Sequence, residues 1–257
     1  MNKLLEVCVD SLASAQAAIS GGADRLELCA ALAIGGLTPY TELLRQIRRE
    51  SDIPVRCLMR PRAGDFCYTP EEIAMTAAQM GELLEAGVDG FVIGCLTPAG
   101  ELDEIAMKPL FEAANGKPLT LHRCIDVSKD PVQTYRAAAA LGFDTVLTSG
   151  GAATCAAGKE TIAAMVRERE KIAGPEILVG AGVKASVIQS LLGEMPGLRA
   201  FHMSGKADVE SAMVFRRENV PMGIPGLDEW HISRTDEEKV RLARRVLDET
   251  INKQEML

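Results

Sequence analysis

Along this chain, short apolar runs alternate with longer stretches in which apolar residues recur every three to four positions. The runs Leu4 to Val9, Arg25 to Cys29, Val55 to Met59, Phe91 to Ile93, Leu119 to His122, Thr145 to Thr148, Ile177 to Gly180 and Ala200 to His202 read as eight strands. Helices are predicted between them. One runs from Asp10 or Ser11 through Ala18, one from Thr38-Pro39 to about Arg49, and one starts at Thr69-Pro70; others lie near 106–114, 131–141, 159–173 and 185–192. At the third of these, Thr69 can cap, Pro70 fits the first position and Glu72 completes a capping box. The last helix, Asp236 to Asn252, has Val240, Leu242, Ala243, Val246, Leu247 and Ile251 as its apolar face, and the longest loop, 205–232, precedes it.

The helix-to-strand junction repeats as Gly22-Ala23-Asp24, Gly87-Val88-Asp89 and Gly142-Phe143-Asp144, each followed by an apolar strand. Glycine ends the helix without Cβ strain and the next residues turn into the sheet. Units of roughly 28 residues hold one strand and one helix, so the pattern predicts an α/β protein, a (β/α)8 TIM barrel folded as a single domain over 1–257. The hydrophobic fraction of 47% with one Trp and three Tyr fits that reading, because aliphatic side chains pack helices on a parallel sheet.

Charge and cysteine usage narrow the functional classes. With 28 basic and 36 acidic residues, net charge −8, and no basic block, no nucleic-acid or anionic membrane partner is expected. The opening segment lacks the order of a signal peptide and no apolar run is long enough to span a bilayer, so a cytoplasmic location is expected. The seven cysteines include no CxxC pair and read as reduced thiols.

Alternation along the strands selects what faces the barrel interior. Glu6 and Cys8 point inward on the first strand, Arg25, Glu27 and Cys29 on the second, Thr120 and His122 on the fifth, and His202 and Ser204 fall similarly on the eighth. A buried carboxylate needs a partner, so Glu6, Glu27, Arg60 and His122 must pair with one another or with a ligand. For Glu6 and Arg25 a buried stabilising pair fits as well as a functional role. His122 ends its strand at the C-terminal rim, where barrel enzymes place their sites.

The loop Arg60-Pro61-Arg62-Ala63-Gly64-Asp65-Phe66-Cys67-Tyr68 carries more chemistry than a turn requires. With Gly180 and Gly182 after the seventh strand, and Ser204 and Lys206 after the eighth, Arg60 and Arg62 suggest a pocket for a small anion. Glu27 or His122 would then be acid or base, with Asp65 or Asp126 orienting its partner. Five cysteines, Cys29, Cys67, Cys95, Cys124 and Cys155, lie at or just after a strand's C-terminal end, whereas Cys57 points at the helices. Rim thiolates suit a soft ion such as Cu(I), with Met203 or a histidine nearby.

Several segments carry a resemblance: Leu5-Glu6-Val7-Cys8, Arg25 to Ala30, Gly35-Gly36-Leu37-Thr38-Pro39, Arg60 to Tyr68, His122-Arg123, Leu147 to Gly150 and Gly180 to Val183. Together they resemble the CutC family of copper homeostasis proteins. The resemblance implies a cytosolic TIM-type barrel, often a homo-oligomer, associated with copper tolerance and binding Cu(I) through cysteines. It carries over to Cys8, Cys29 and Cys67; Cys95, Cys124 and Cys155 lie outside the matched motifs. Where the family commonly has Phe-His-Arg-Ala-Phe-Asp, this chain reads Leu121-His122-Arg123-Cys124-Ile125-Asp126, which keeps His122, Arg123 and Asp126 and loses the second aromatic. Two functions follow as expectations. One is copper handling with Cu(I) as the bound ion; the other is a lyase, isomerase or hydrolase acting on a small anionic or phosphorylated substrate.

Overall fold

Each apolar run satisfies its backbone by pairing in parallel with the runs before and after it, and the last pairs with the first. The strands are β1 (Leu4–Val9), β2 (Arg25–Leu28), β3 (Val55–Leu58), β4 (Gly90–Ile93), β5 (Leu119–Leu121), β6 (Thr145–Thr148), β7 (Glu176–Val179) and β8 (Ala200–Met203), closed in that order into a barrel. The helices are α1 (Leu12–Ser20), α2 (Thr41–Glu50), α3 (Pro70–Glu85), α4 (Glu104–Ala113), α5 (Pro131–Ala140), α6 (Lys159–Ile172), α7 (Ala185–Glu194) and α8 (Glu237–Glu255). The computed structural model describes residues 3–217, 219–220, 222–223 and 228–255.

Alternation divides the core. Leu5, Val7, Val9, Leu26, Leu28, Cys57, Phe91 and Phe201 join the helices in one large apolar layer, while the lumen holds two small clusters, Cys8–Cys29–Leu58–Val92 and Leu147–Leu178–Ala200. Fully burying each aliphatic side chain of the outer layer contributes about 1.5–3 kcal/mol. The polar side chains on the strands are therefore concentrated in the lumen.

The repeated Gly-x-Asp junction acts as a clamp at the N-terminal end of the strands. Gly22, Gly87 and Gly142 have φ of 90°, 87° and 86°, a region that favours glycine. The aspartates then bind the neighbouring strand. Asp24 accepts the Leu5 N–H at 2.6 Å and Asp89 the Val55 N–H at 2.8 Å, while Arg244, Arg48 and Arg56 pair with Asp24, Asp89 and Asp144. Arg56 does so from inside the barrel, where it also donates to Thr120.

Two elements differ from the sequence expectation. Helix α2 starts at Thr41, because the Thr38 hydroxyl accepts the Arg60 N–H at 3.0 Å and is held to the rim. The stretch read as a long loop holds an antiparallel hairpin of β9 (Lys206–Glu210) and β10 (His231–Thr235), which joins α1 where the Thr235 N–H donates to Ser14 Oγ. The capping box at α3 is as predicted, with both the Thr69 and Glu72 hydrogen bonds present.

Candidate metal centre

Parallel register places Glu6 of β1 opposite Arg25 of β2 and His202 of β8, and Cys8 opposite Glu27. All five side chains face the lumen and are buried. Glu6 is the hub: Arg25 Nε donates to its Oε2 at 2.5 Å, and His202 Nδ1 lies 2.8 Å from its Oε1. Burial alone would raise the Glu6 pKa, but the Arg25 guanidinium and His202 hold it at about 2. Glu27 has weaker compensation, with His202 Nε2 3.6 Å from its Oε2, and burial pushes it up to about 7. Burial works against protonated His202, yet Cys8 and the two carboxylates raise its pKa well above the ordinary imidazole value.

Ligand atoms of Cys8, Glu27 and His202 all lie within 4.8 Å of one another. The imidazole is set up as metal-binding histidines are. Its Nδ1 faces the Glu6 carboxylate, so Nε2 points toward Glu27 and is the nitrogen left for an ion, with Glu6 as the carboxylate that orients the ring. Cys29 adjoins the group: its Sγ lies 3.6 Å from Glu27 Oε2, and it packs with Cys8 in the apolar cluster that Leu32 covers. Burial, followed by the neighbouring Glu27 and Cys8, drives the Cys29 thiol pKa well up, so it stays protonated until an ion displaces the proton. Two sulfurs and an imidazole in an apolar setting supply soft to borderline donors beside one hard carboxylate.

This cluster sits inside the segment that identifies the chain. The CutC family model matches residues 3–207. The chain belongs to the CutC family. It is 39% identical to the family protein CutC of Porphyromonas gingivalis over 244 residues, 95% of this chain and 97% of that one. Identity to CutC of Xanthomonas campestris pv. campestris is 44% over 206 residues, 80% and 84% of the two chains. The crystal structure of CutC from Streptococcus agalactiae, described as a proposed copper homeostasis protein, superposes with a TM-score of 0.73 at 29% identity, covering 79% of this chain and 98% of that one. The family match ends within β9, so all of β1 to β8 lies inside it and most of the hairpin outside.

Other residues singled out from the sequence lie elsewhere. Cys67 is half-buried at the rim and packs against the outer apolar layer, whereas Cys29 lies with Cys8 in the lumen cluster. Cys95, Cys124 and Cys155 pack in the outer apolar layer. Arg62 is bound to Glu72 and Asp65 and to the Cys67 carbonyl, and Asp65 in turn accepts the Cys67 N–H. Both amino groups of the Arg60 guanidinium donate to carbonyls, of Ile34, Gly36 and Gly64. Arg62 and the two amino groups of Arg60 are thus held by their own loops, while Arg60 Nε has no partner among the described residues.

Asp126 accepts from Arg123, Thr148, Ser149 and Gly151, which makes it the anchor of the loop after β6 and leaves it no lone pair to orient a catalytic partner. Gly180 commits its N–H to Thr148 O. Gly182 lies two residues further on, beside Thr154. The Ser204 carbonyl accepts from Thr235 Oγ1, and Lys206 opens β9 paired with Thr235, so these two close the hairpin. His122, the residue directly after β5, is buried and its Nδ1 accepts the Cys124 N–H. Alternation points His202 inward without naming it a ligand; the closure of β8 onto β1 brings it to Glu6.

Proposed function

We propose that this chain binds Cu(I) inside the barrel, on the thiolates of Cys8 and Cys29 and Nε2 of His202, and that it takes part in copper handling in the cytosol. The observation that carries this is the approach of Cys8, Glu27 and His202 ligand atoms within 4.8 Å, with Cys29 against Glu27. Sulfur and imidazole favour a soft monovalent ion over hard cations that prefer oxygen. Glu27, at about 7, accepts a proton that the ion displaces from a thiol or from His202. The description of the Streptococcus agalactiae relative agrees with this reading, and seven free thiols suit a reducing compartment.

Competition with a Cu(I) chelator tests it. Wild type should take the ion from a chelator of nanomolar affinity or tighter, and a Cys8→Ser, Cys29→Ser variant that competes equally well would sink the reading. A second reading, acid–base catalysis on a small substrate, is favoured by one observation. Glu27 has the pKa of about 7 that suits a general acid or base near neutral pH.

A further inference from the structure

A different part of the lumen holds donors without an acceptor among the described residues. Arg60 extends β3 and His122 extends β5, both at inward positions, and between them β4 continues into Gly94. A Cβ at Gly94 would lie 2.7 Å from His122 Cε1 and 2.8 Å from Nδ1, so the imidazole lies across the bare backbone, leaning toward β3. Phe66 ties the pair together, with its ring 4.8 Å from the His122 ring and 5.3 Å from Arg60 Cζ.

The hydrogen bonding on each side is one acceptor short of complete. His122 Nδ1 accepts from Cys124 N, which puts the ring proton on Nε2, and that nitrogen is buried with no partner among the described residues. Arg60 Nε is likewise buried and unpartnered. Arg60 is 9% exposed, the hydrogen bonds of its guanidinium go to neutral carbonyls, and no described carboxylate lies within salt-bridge distance of it. An unpaired buried cation costs several kcal/mol unless a counter-charge arrives. Its field is felt next door: burial and then Arg60 lower the His122 pKa to about 3, keeping the ring a neutral donor.

We propose that Arg60 Nε and His122 Nε2 form a site for a small oxyanion, a carboxylate or phosphate group, at the mouth of the barrel between β3 and β5. The anion supplies the missing charge to Arg60 and the missing acceptor to both nitrogens. Phe66 stands between this site and the surface. That side chain also lines a surface cleft of ≈ 380 Å³ with Gly64, Cys67, Leu96 and Val127, so the cleft lies one side chain from the donors. The site is separate from the thiol cluster and does not depend on a bound metal.

Titration calorimetry of the full chain with inorganic phosphate and, separately, with acetate tests this. His122→Asn is the informative variant, because asparagine is a good cap and can keep the Cys124 N–H bond while removing the Nε2 donor. Saturable one-to-one binding should weaken about tenfold or more in that variant. In wild type, the ¹H–¹⁵N signal of His122 Nε2 should shift on anion addition. Tighter binding of phosphate assigns a phosphate group, and tighter binding of acetate a carboxylate. The Cys8→Ser, Cys29→Ser variant should bind the anion as wild type does. The proposal is overturned if neither anion saturates a site, if His122→Asn binds equally well, or if the thiol variant loses the anion.

Discussion

In the loop from Arg60 to Tyr68 most ionic side chains find partners a few residues away: Arg62 takes Asp65, Glu72 and the Cys67 carbonyl, and Arg60 takes the Gly64 carbonyl. In the lumen, Glu6 meets Arg25 across 19 residues of chain and His202 across 196. The loop is therefore a knot that the local sequence ties by itself, whereas the lumen cluster exists only once β8 has closed onto β1. Density of charged residues along the chain marks the first kind of arrangement. Alternation read across a closed sheet marks the second, and it is the second that brings soft metal donors together.

The contrast breaks most readily at its hub. Glu6→Gln removes the counter-charge of Arg25 and a hydrogen-bond partner of His202 in a buried setting, so it should destabilise the fold by about 3–5 kcal/mol. Urea unfolding at neutral pH measures this. The effect depends on pH with a definite sign. The folded pKa of Glu6, about 2, lies below its ordinary value of 4.5, so its stabilisation is complete above pH 4.5 and is lost as pH falls through about 2. A variant as stable as wild type would mean that the hub is not what holds the cluster.

Metal affinity separates the two regions next. Cys8→Ser or Cys29→Ser should each weaken Cu(I) binding by on the order of a hundredfold, at or beyond the 10–100-fold loss seen when an outer partner of a metal ligand is removed. Cys67→Ser should leave it unchanged. Equal losses at Cys67 and Cys29 would unite rim and lumen in one site and erase the distinction. Affinity should rise with pH, because the ion competes with protons on Cys29 and His202, whose pKa values are both raised.

Glu27 sharpens the comparison within the lumen itself. Its folded pKa, about 7, lies above the ordinary 4.5, the opposite of Glu6, so its contribution is fully present below pH 4.5 and lost as pH rises through about 7. Glu27→Gln mimics the protonated form. It should remove that decline, a gain over wild type above pH 7 of no more than roughly 3 kcal/mol. Thermal unfolding across pH 4 to 8 reads it, and parallel profiles for the two proteins would place Glu27 outside the buried charge balance.

What was legible in the sequence follows from the same physics. The strand and helix order, the Gly-x-Asp junctions and the inward set Glu6, Cys8, Arg25, Glu27 and Cys29 come from periodicity of two and from glycine's backbone freedom, both local properties. The saturation of Asp126 by the loop after β6 and the capture of Arg60 by carbonyls of Ile34 and Gly36 are not legible, because backbone acceptors have no residue identity. The β9–β10 hairpin is not legible either, for another reason. Its alternation is weak, with Val209 and Ile232 paired across the strands and both partly exposed, so no buried face marks the period.

The smallest effect is expected in the loop. Asp65→Asn keeps the oxygen that accepts the Cys67 N–H and loses only its charge toward Arg62, which retains Glu72. Asp65 is exposed and Arg62 partly so, and such surface pairs contribute little. Neither the unfolding midpoint nor Cu(I) affinity should move. Phosphate binding should also hold, because the donors assigned to the oxyanion, Arg60 Nε and His122 Nε2, do not touch Asp65. A clear drop in anion affinity in Asp65→Asn, with folding intact, would show the loop tuning the rim site electrostatically, and a self-paired loop that still controls a ligand would be something more than a structural knot.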